Sequence, residues 1–342
     1  MTSRTTGQRP ETAKPNLLNS FKRAVQNFIA HGGTDLSASL TYYATLSLFP
    51  AILAFTSLLG IFGNGRETTQ ALLDVAKEMG ATDSVLGPVE TFVSNLQETP
   101  GAGLAFAVGL LGALYSASNF VNGFSRTMNR VYGVREGRPI WKLRPWTFLL
   151  TLILMFVVIL IAGALVLSGS LAEAIGSVVG LGDSAVQIWG LAKWPVVVLM
   201  VMVLVALLYW GTPNVRPKFR IVSMGSAFAI IVWAIATLGF GAYVSSDFAS
   251  YGGTYGAFAG AILLLLWLWI TNIVLILGAE LDVELERSRE LQAGVAAEER
   301  VQLPLRNASG VEKKEAKEAA QVREMRRIRI IAAAERRSGQ SD

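Results

Sequence analysis

The 342-residue chain contains no cysteine and a single histidine, His31. Without cysteine there is no disulfide, no thiolate metal site and no cysteine nucleophile. One histidine cannot assemble a His- or Cys-ligated metal centre within one chain, so neither metal nor cofactor is expected. The chain also lacks a GxxxxGK[ST] phosphate loop, and no Ser or Lys sits in a nucleophile motif. No catalytic residue is assigned. Charge is the other scarcity: 16% of residues are charged, against roughly 25% in a soluble domain. The deficit is local, with charge nearly absent from several long runs and dense at both ends.

Those runs are what the chain has instead. A bilayer crossing takes about 20 apolar residues, and six stretches qualify: Ser39 to Gly63, Gly103 to Val121, Trp146 to Leu167, Trp194 to Trp210, Ile221 to Val244 and Gly256 to Leu277. The expected fold is all-α, a polytopic membrane helix bundle with about six transmembrane helices plus outer amphipathic helices. Residues 1–35 form an N-terminal tail with a short amphipathic helix, Leu17 to Ile29. Residues 36–287 form the transmembrane domain and residues 288–342 a charged C-terminal tail. The N-terminus is too polar to be a cleavable signal peptide.

The basic residues orient the bundle. Of the 30 Lys and Arg residues, 27 fall in the two tails and the connections after spans two and four. Three fall in the other connections. The positive-inside rule therefore puts both tails in the cytoplasm. The opposite connections carry Glu67, Asp74, Glu78, Asp83, Glu90, Glu98, Glu173, Asp183 and Asp247. The net charge of +5 is thus a topology signal, and no nucleic-acid partner is inferred from it. The expected location is the inner (plasma) membrane.

Apolar residues at helical spacing recur between spans one and two (Val85, Val89, Phe92, Val93, Leu96) and more weakly from Leu171 to Ile188. They predict outer helices that cap the bundle or form a lid. Val311 to Arg337 is rich in Glu, Lys, Ala and Arg and predicts a helix. Its basic last part, from Arg323, suits anionic lipid.

Ionisable and polar groups at the hydrocarbon need a reason. Glu280, just past span six, shares a helix face with Glu284 and Arg287, and Asn272 lies two turns earlier. Asn119, Asn122 and Arg126 line one face at the end of span two, with Arg130 one turn on. The expectation is that Arg126 or Arg130 pairs with Glu280, either as a packing contact or as a site for a headgroup or coupling proton. Tyr42, Tyr43 and Ser47 lie beside Pro50, which kinks span one. Gly252, Gly256 and Gly260 form a small-xxx-small series for close helix packing, and self-association through it is one assembly open to the chain.

Several segments together resemble a known family. Leu40-Thr-Tyr-Tyr-Ala-Thr-Leu-Ser-Leu-Phe-Pro50 is similar to the opening motif of the YihY/BrkB family of bacterial membrane proteins. So are Asn129-Arg-Val-Tyr-Gly-Val-Arg-Glu-Gly-Arg-Pro139 with Trp141, and Leu208-Tyr-Trp-Gly-Thr-Pro-Asn-Val-Arg216. Tyr255-Gly-Ala-Phe and Gly278-Ala-Glu-Leu-Asp-Val-Glu-Leu-Glu-Arg287 fit its last helix, with Asp282 where the family pattern has Asn. The resemblance implies six inner-membrane helices. It also brings an inherited ribonuclease label and a virulence label, and a suspected role in moving envelope lipids. The leading functional expectation is a transporter or flippase-like protein for a lipid or other amphiphile. A non-transporting envelope scaffold comes second, and a membrane enzyme last.

Overall fold

A computed structural model of the chain describes residues 17–62, 87, 102–166, 183–244 and 259–338. These residues form eight long helices: α1 (Leu17–Ala30), α2 (Gly33–Phe62), α3 (Ala102–Val131), α4 (Ile140–Val166), α5 (Asp183–Gly211), α6 (Met224–Val244), α7 (Ala259–Gln292) and α8 (Ala308–Ser338). Among the described residues the one β contact is an isolated bridge between Val215 and Leu305. The segments Ile140–Leu165, Ile188–Gly211, Met224–Val244 and Ala259–Gln292 are each long and apolar enough to cross a membrane. With α2 and α3, 30 residues each, they make the expected six-helix membrane bundle.

Helices α2 to α7 pack in chain order, and α7 closes back on α2. Helix α3 also touches α5 and α7, which makes it the central element. The bundle inverts the soluble pattern. Leu191, Ile235 and Leu238 on its outside are 64–79% exposed, as hydrocarbon-facing side chains are. The dense core, which includes Leu40, Phe124, Met128, Leu150, Ile276 and Val283, gathers at the end where α1 and residues 297–311 dock. We call this the tail end.

Sequence chemistry explains the helix limits. Helix α1 buries Ser20, Ala24 and Phe28, a four-residue spacing that presents one face. It ends at Gly32, whose φ of 69° is the left-handed conformation glycine takes without steric cost. Gly133, φ 62°, ends α3 in the same way, and Val134 N–H reaches back to the Asn129 carbonyl at 2.8 Å. Helices α3 and α7 therefore run well beyond their apolar runs, because loss of hydrophobicity marks the edge of the bilayer and not the end of the helix. Helix α5 likewise begins at Asp183, before the expected start of span four, and absorbs the end of the Leu171 to Ile188 segment.

Helix α6 crosses α7 closely where Gly225 and Gly278 meet backbone to backbone. A Cβ on Gly278 would stand 2.7 Å from the Ala229 Cβ, the Gly225 carbonyl oxygen and the Tyr209 hydroxyl. This is the small-residue packing of membrane helices, but at a different pair from the expected series. Gly252 and Gly256 lie outside the described residues, and Gly260 sits in the first turn of α7. Helix α2 is helical through Pro50. The expected outer helices between spans one and two also fall outside the described residues.

Candidate functional site

The last turns of α7 carry Glu280, Asp282, Glu284 and Glu286, and the helix divides them between two partners. Glu280 and Glu284, four residues apart, face α1. Asp282 and Glu286 face α5 and the start of α6.

On the α1 side both carboxylates are fully buried. Glu280 Oε1 lies 2.7 Å from His31 Nδ1, while its Oε2 is buried without a hydrogen-bond partner. Glu284 accepts a hydrogen bond from Asn27 Nδ2 at 2.9 Å and pairs with Arg23 at 3.2 Å and Arg287 at 3.3 Å. A polar face of α1, Arg23 and Asn27, continued by His31 in the turn that follows, thus docks on an acidic face of α7. The expected pairing of Glu280 with Arg126 or Arg130 does not form. Those arginines are exposed on a face of α3 turned away from α7, and α1 supplies the partner instead. The sequence does carry a signal for this docking: the four-residue spacing of Arg23, Asn27 and His31 puts all three on one helical face.

On the other side Asp282 caps α6. Its Oδ1 accepts the Gly225 N–H at 2.7 Å, and its Oδ2 accepts the Ser223 hydroxyl. Ser223 and Ser226 cap the same helix start reciprocally, at 2.9 and 3.0 Å. An anion at a helix N-terminus is favourable on both hydrogen-bond and dipole grounds. Beside this cap is a polar cavity of about 70 Å³ lined by Tyr132, Tyr209, Lys218, Arg220, Asp282 and Glu286, among others. Burial, and then the nearby Asp282 and Glu286, push the Tyr132 phenol well above its ordinary value, so it stays protonated.

A third polar cluster clasps the tail end. Arg138 grips Glu136 with two hydrogen bonds, at 2.8 and 2.7 Å, and donates to the Thr212 carbonyl at 2.8 Å. Asn129 donates to Glu136 and accepts the Asn214 N–H. Arg306 lies over the rings of Trp146 and Trp210, at 5.8 and 5.1 Å, and donates to the carbonyls of Trp210, Pro213 and Val215. Two of the motifs that carry the family resemblance, Asn129 to Pro139 and Leu208 to Arg216, therefore meet in one structure and hold residues 297–311 against the bundle. Burial would raise the Glu136 carboxyl, but the hydrogen bonds and charge of Arg138, with Asn129, outweigh it and hold the carboxyl below its ordinary value. A lowered carboxylate stabilises the fold above its unfolded pKa, and that contribution disappears as pH falls through the lowered folded value. Amide protection at residues 129–139, taken as the exchange rate relative to the intrinsic rate at each pH, is therefore expected to hold from neutral pH down to the ordinary carboxyl range and to fall below it. Glu136→Gln is expected to show low protection across the whole range.

The other sequence candidates do not converge on one centre. Tyr43 accepts a 3.2 Å hydrogen bond from Arg126. Asn119 accepts one from Arg144 at 2.9 Å, and Asn122 is half-buried beside it. Asn272, 2% exposed, donates to Thr41 at 3.2 Å and ties α7 to α2 within the spans. Tyr42 lines an apolar groove of about 540 Å³ between α2 and α7, with Leu265 and Trp269 opposite.

Inside the bundle a second apolar cavity, about 390 Å³, lies between α2, α3, α4 and α5. Ala44, Ser47, Ala117, Phe120, Thr151 and Leu204 are among its walls. Its α4 wall continues to Val158 and Ile159, 50% and 63% exposed, so the cavity opens away from the tail end. Phe120 in its wall packs on Phe124 and Phe124 on Tyr209, both at 6.3 Å. Tyr209 lines the polar cavity, so aromatic rings stand between the two spaces. Neither space is the continuous polar cavity reaching mid-membrane between the spans that is expected of a transporter.

Helices of this length and apolarity, closed into a ring whose buried polar groups, among the described residues, gather at one end and at isolated links, define a polytopic α-helical membrane protein. A family model for the virulence factor BrkB matches residues 24–302, and the chain belongs to that family. It is 29% identical over 274 residues to the ribonuclease-like protein YfkH of Bacillus subtilis, covering 80% of this chain and 98% of the relative. It is 28% identical over 275 residues to a UPF0761 membrane protein of Pseudoalteromonas atlantica, covering 78% and 86%. A UPF0761 membrane protein of Aliivibrio salmonicida is 27% identical, covering 76% and 81%. No solved structure matches the chain.

Proposed function

We propose that this protein is a transporter or flippase-like protein of the bacterial inner membrane that takes up a lipid or similar envelope amphiphile, with both tails cytoplasmic. The carrying observation is the apolar cavity of about 390 Å³ inside the ring of spans. An apolar space between helices accepts a hydrocarbon chain, and it excludes a small polar solute, which would leave hydrogen bonds behind. The charge asymmetry of 27 basic residues against three supports the orientation. Glu280 is the group we assign to a coupling proton, because its Oε2 is buried without a partner and His31 sits on its other oxygen. Projecting from the bundle, α8 exposes Arg323, Arg326, Arg327 and Arg329, which suits anionic lipid at the membrane surface.

That projecting helix also favours the second reading, a scaffold that recruits partners through its tail. The nuclease reading ranks last. Metal-dependent phosphodiester cleavage needs clustered ligands, and among the described residues no group of three or more His, Cys, Asp or Glu stands where it could hold a metal ion.

Filling the cavity tests the first reading. Ala117→Phe places a ring in the space between α3 and α4. The lipid retained per protein molecule, measured by native mass spectrometry, is expected to fall by the cavity-bound species while the melting temperature stays near that of the parent. Unchanged lipid retention in a folded Ala117→Phe protein removes the cavity from the account.

A further inference from the structure

The outer face of α3 has a composition that the interior cavity does not explain. Leu111, Tyr115, Asn119, Asn122, Arg126 and Arg130 follow one another at steps of three and four residues, so they form a single stripe along the helix. Leu111 and Tyr115 are 67% and 56% exposed, and Arg126 and Arg130 are exposed. The stripe therefore faces the bilayer, apolar in its middle and cationic at the tail end. From Tyr115 to Arg130 it covers about 22 Å of helix, roughly half the full thickness of a bilayer with its headgroups.

The cationic end is organised. Arg126 is held against the Tyr43 ring, 5.6 Å from its centroid, and donates to the Tyr43 hydroxyl. Neither group neutralises it. Arg130 makes no ion pair among the described residues. Arg144 of the adjoining α4 reaches Asn119 at 2.9 Å, and Trp141, 76% exposed, stands at the start of α4 at the level where interfacial aromatics collect. No Asp or Glu occurs between Glu98 and Glu136, or between Glu136 and Glu173, and Glu136 is committed to Arg138. Helices α3 and α4 thus present cations at headgroup depth with no carboxylate of their own to answer them.

We propose that this stripe binds the phosphate headgroup of an anionic glycerophospholipid, with Arg126 and Arg130 on the phosphate and an acyl chain along Leu111 and Tyr115. This surface site shares no residue with the apolar cavity, and the assignment rests on the lipid reading only in taking the protein as one that binds lipid. Each surface cation contributes on the order of 1 kcal/mol towards anionic lipid, so the two arginines together imply a preference of more than tenfold.

The test offers dioleoyl phosphatidylglycerol and dioleoyl phosphatidylcholine in equal amounts to the full-length protein in detergent, and counts retained lipid by native mass spectrometry. The parent is expected to retain phosphatidylglycerol over phosphatidylcholine by roughly tenfold or more. The double variant Arg126→Gln, Arg130→Gln is expected to retain both about equally. Its changes are on the surface, and an unaltered melting temperature confirms the fold. The double variant Arg326→Gln, Arg327→Gln in α8 is expected to keep the preference. Loss of preference in the α8 variant instead, or equal retention by the parent, overturns the proposal. So does abolition of the preference by millimolar inorganic phosphate, which would make the ligand a free anion. Retention of lipid without headgroup preference sinks this inference alone, whereas retention of no lipid at all sinks the broader reading.

Discussion

Glu284→Ala is expected to release α1 from the bundle. Glu284 is fully buried and accepts from Asn27 while pairing with Arg23 and Arg287. Its removal leaves two guanidinium groups facing each other across a buried contact with no anion between them. Breaking a buried pair from one side costs about 3–5 kcal/mol. The lower end applies here, because Arg23 is 40% exposed and regains water. The absence of cysteine from the chain makes a clean probe possible. Ala24, 1% exposed, is replaced by cysteine and its reaction with a maleimide is timed. The reaction is expected to be slow in the parent and many-fold faster with Glu284→Ala. Glu280→Gln, which keeps the shape and a hydrogen bond to His31, is expected to leave it slow. Equal rates in all three proteins mean that the ion cluster does not hold α1.

Gly225→Ala is expected to be as damaging, for a different reason. A Cβ at position 225 overlaps the Gly278 carbonyl oxygen, which is backbone and cannot rotate away, and comes within 2.8 Å of Asp282 Oδ1. The helices have to part. Overpacking of this kind costs about 1–3 kcal/mol, and losing the Asp282 cap on α6 adds about 1 kcal/mol. A fall of several degrees in the melting temperature of the detergent-solubilised protein is the expected result. The change is also expected to weaken the effect of Asp282→Asn, since both act on one cap. Strictly additive losses would show that cap and crossing are independent.

The spans are legible in the sequence because a bilayer demands long uncharged runs, and Trp146 to Leu167 is too long and too uniformly apolar for an ordinary helix of a soluble domain. The extent of α3 and α7 is not, because hydropathy reports where the membrane stops, whereas two left-handed glycines, Gly133 after α3 and Gly294 (φ 72°) after α7, decide where the helix stops. Helical spacing correctly groups Glu280 with Glu284 and Arg287, and Asn119 with Asn122 and Arg126. It carries no information on which helix each face meets. Spacing and charge therefore match Glu280 to the arginines of α3, whereas its partner stands at the end of α1. His31 lies outside the apolar run and so looks peripheral in sequence, yet it sits where α1 turns into α2. Asp282 is a minor departure from the family pattern until 57 residues of separation in sequence close to a hydrogen bond and reveal it as the cap on α6.

The central claim is that the bundle holds a lipid. Native mass spectrometry of the full-length protein, released gently from membrane into a mild detergent, measures this directly. The parent is expected to carry bound species of phospholipid or lipid-precursor mass that survive detergent exchange, and Ala117→Phe is expected to lose the cavity-bound one while keeping lipid on the outer face of α3. A parent protein that remains folded and carries no such adduct at any activation energy would contradict the claim.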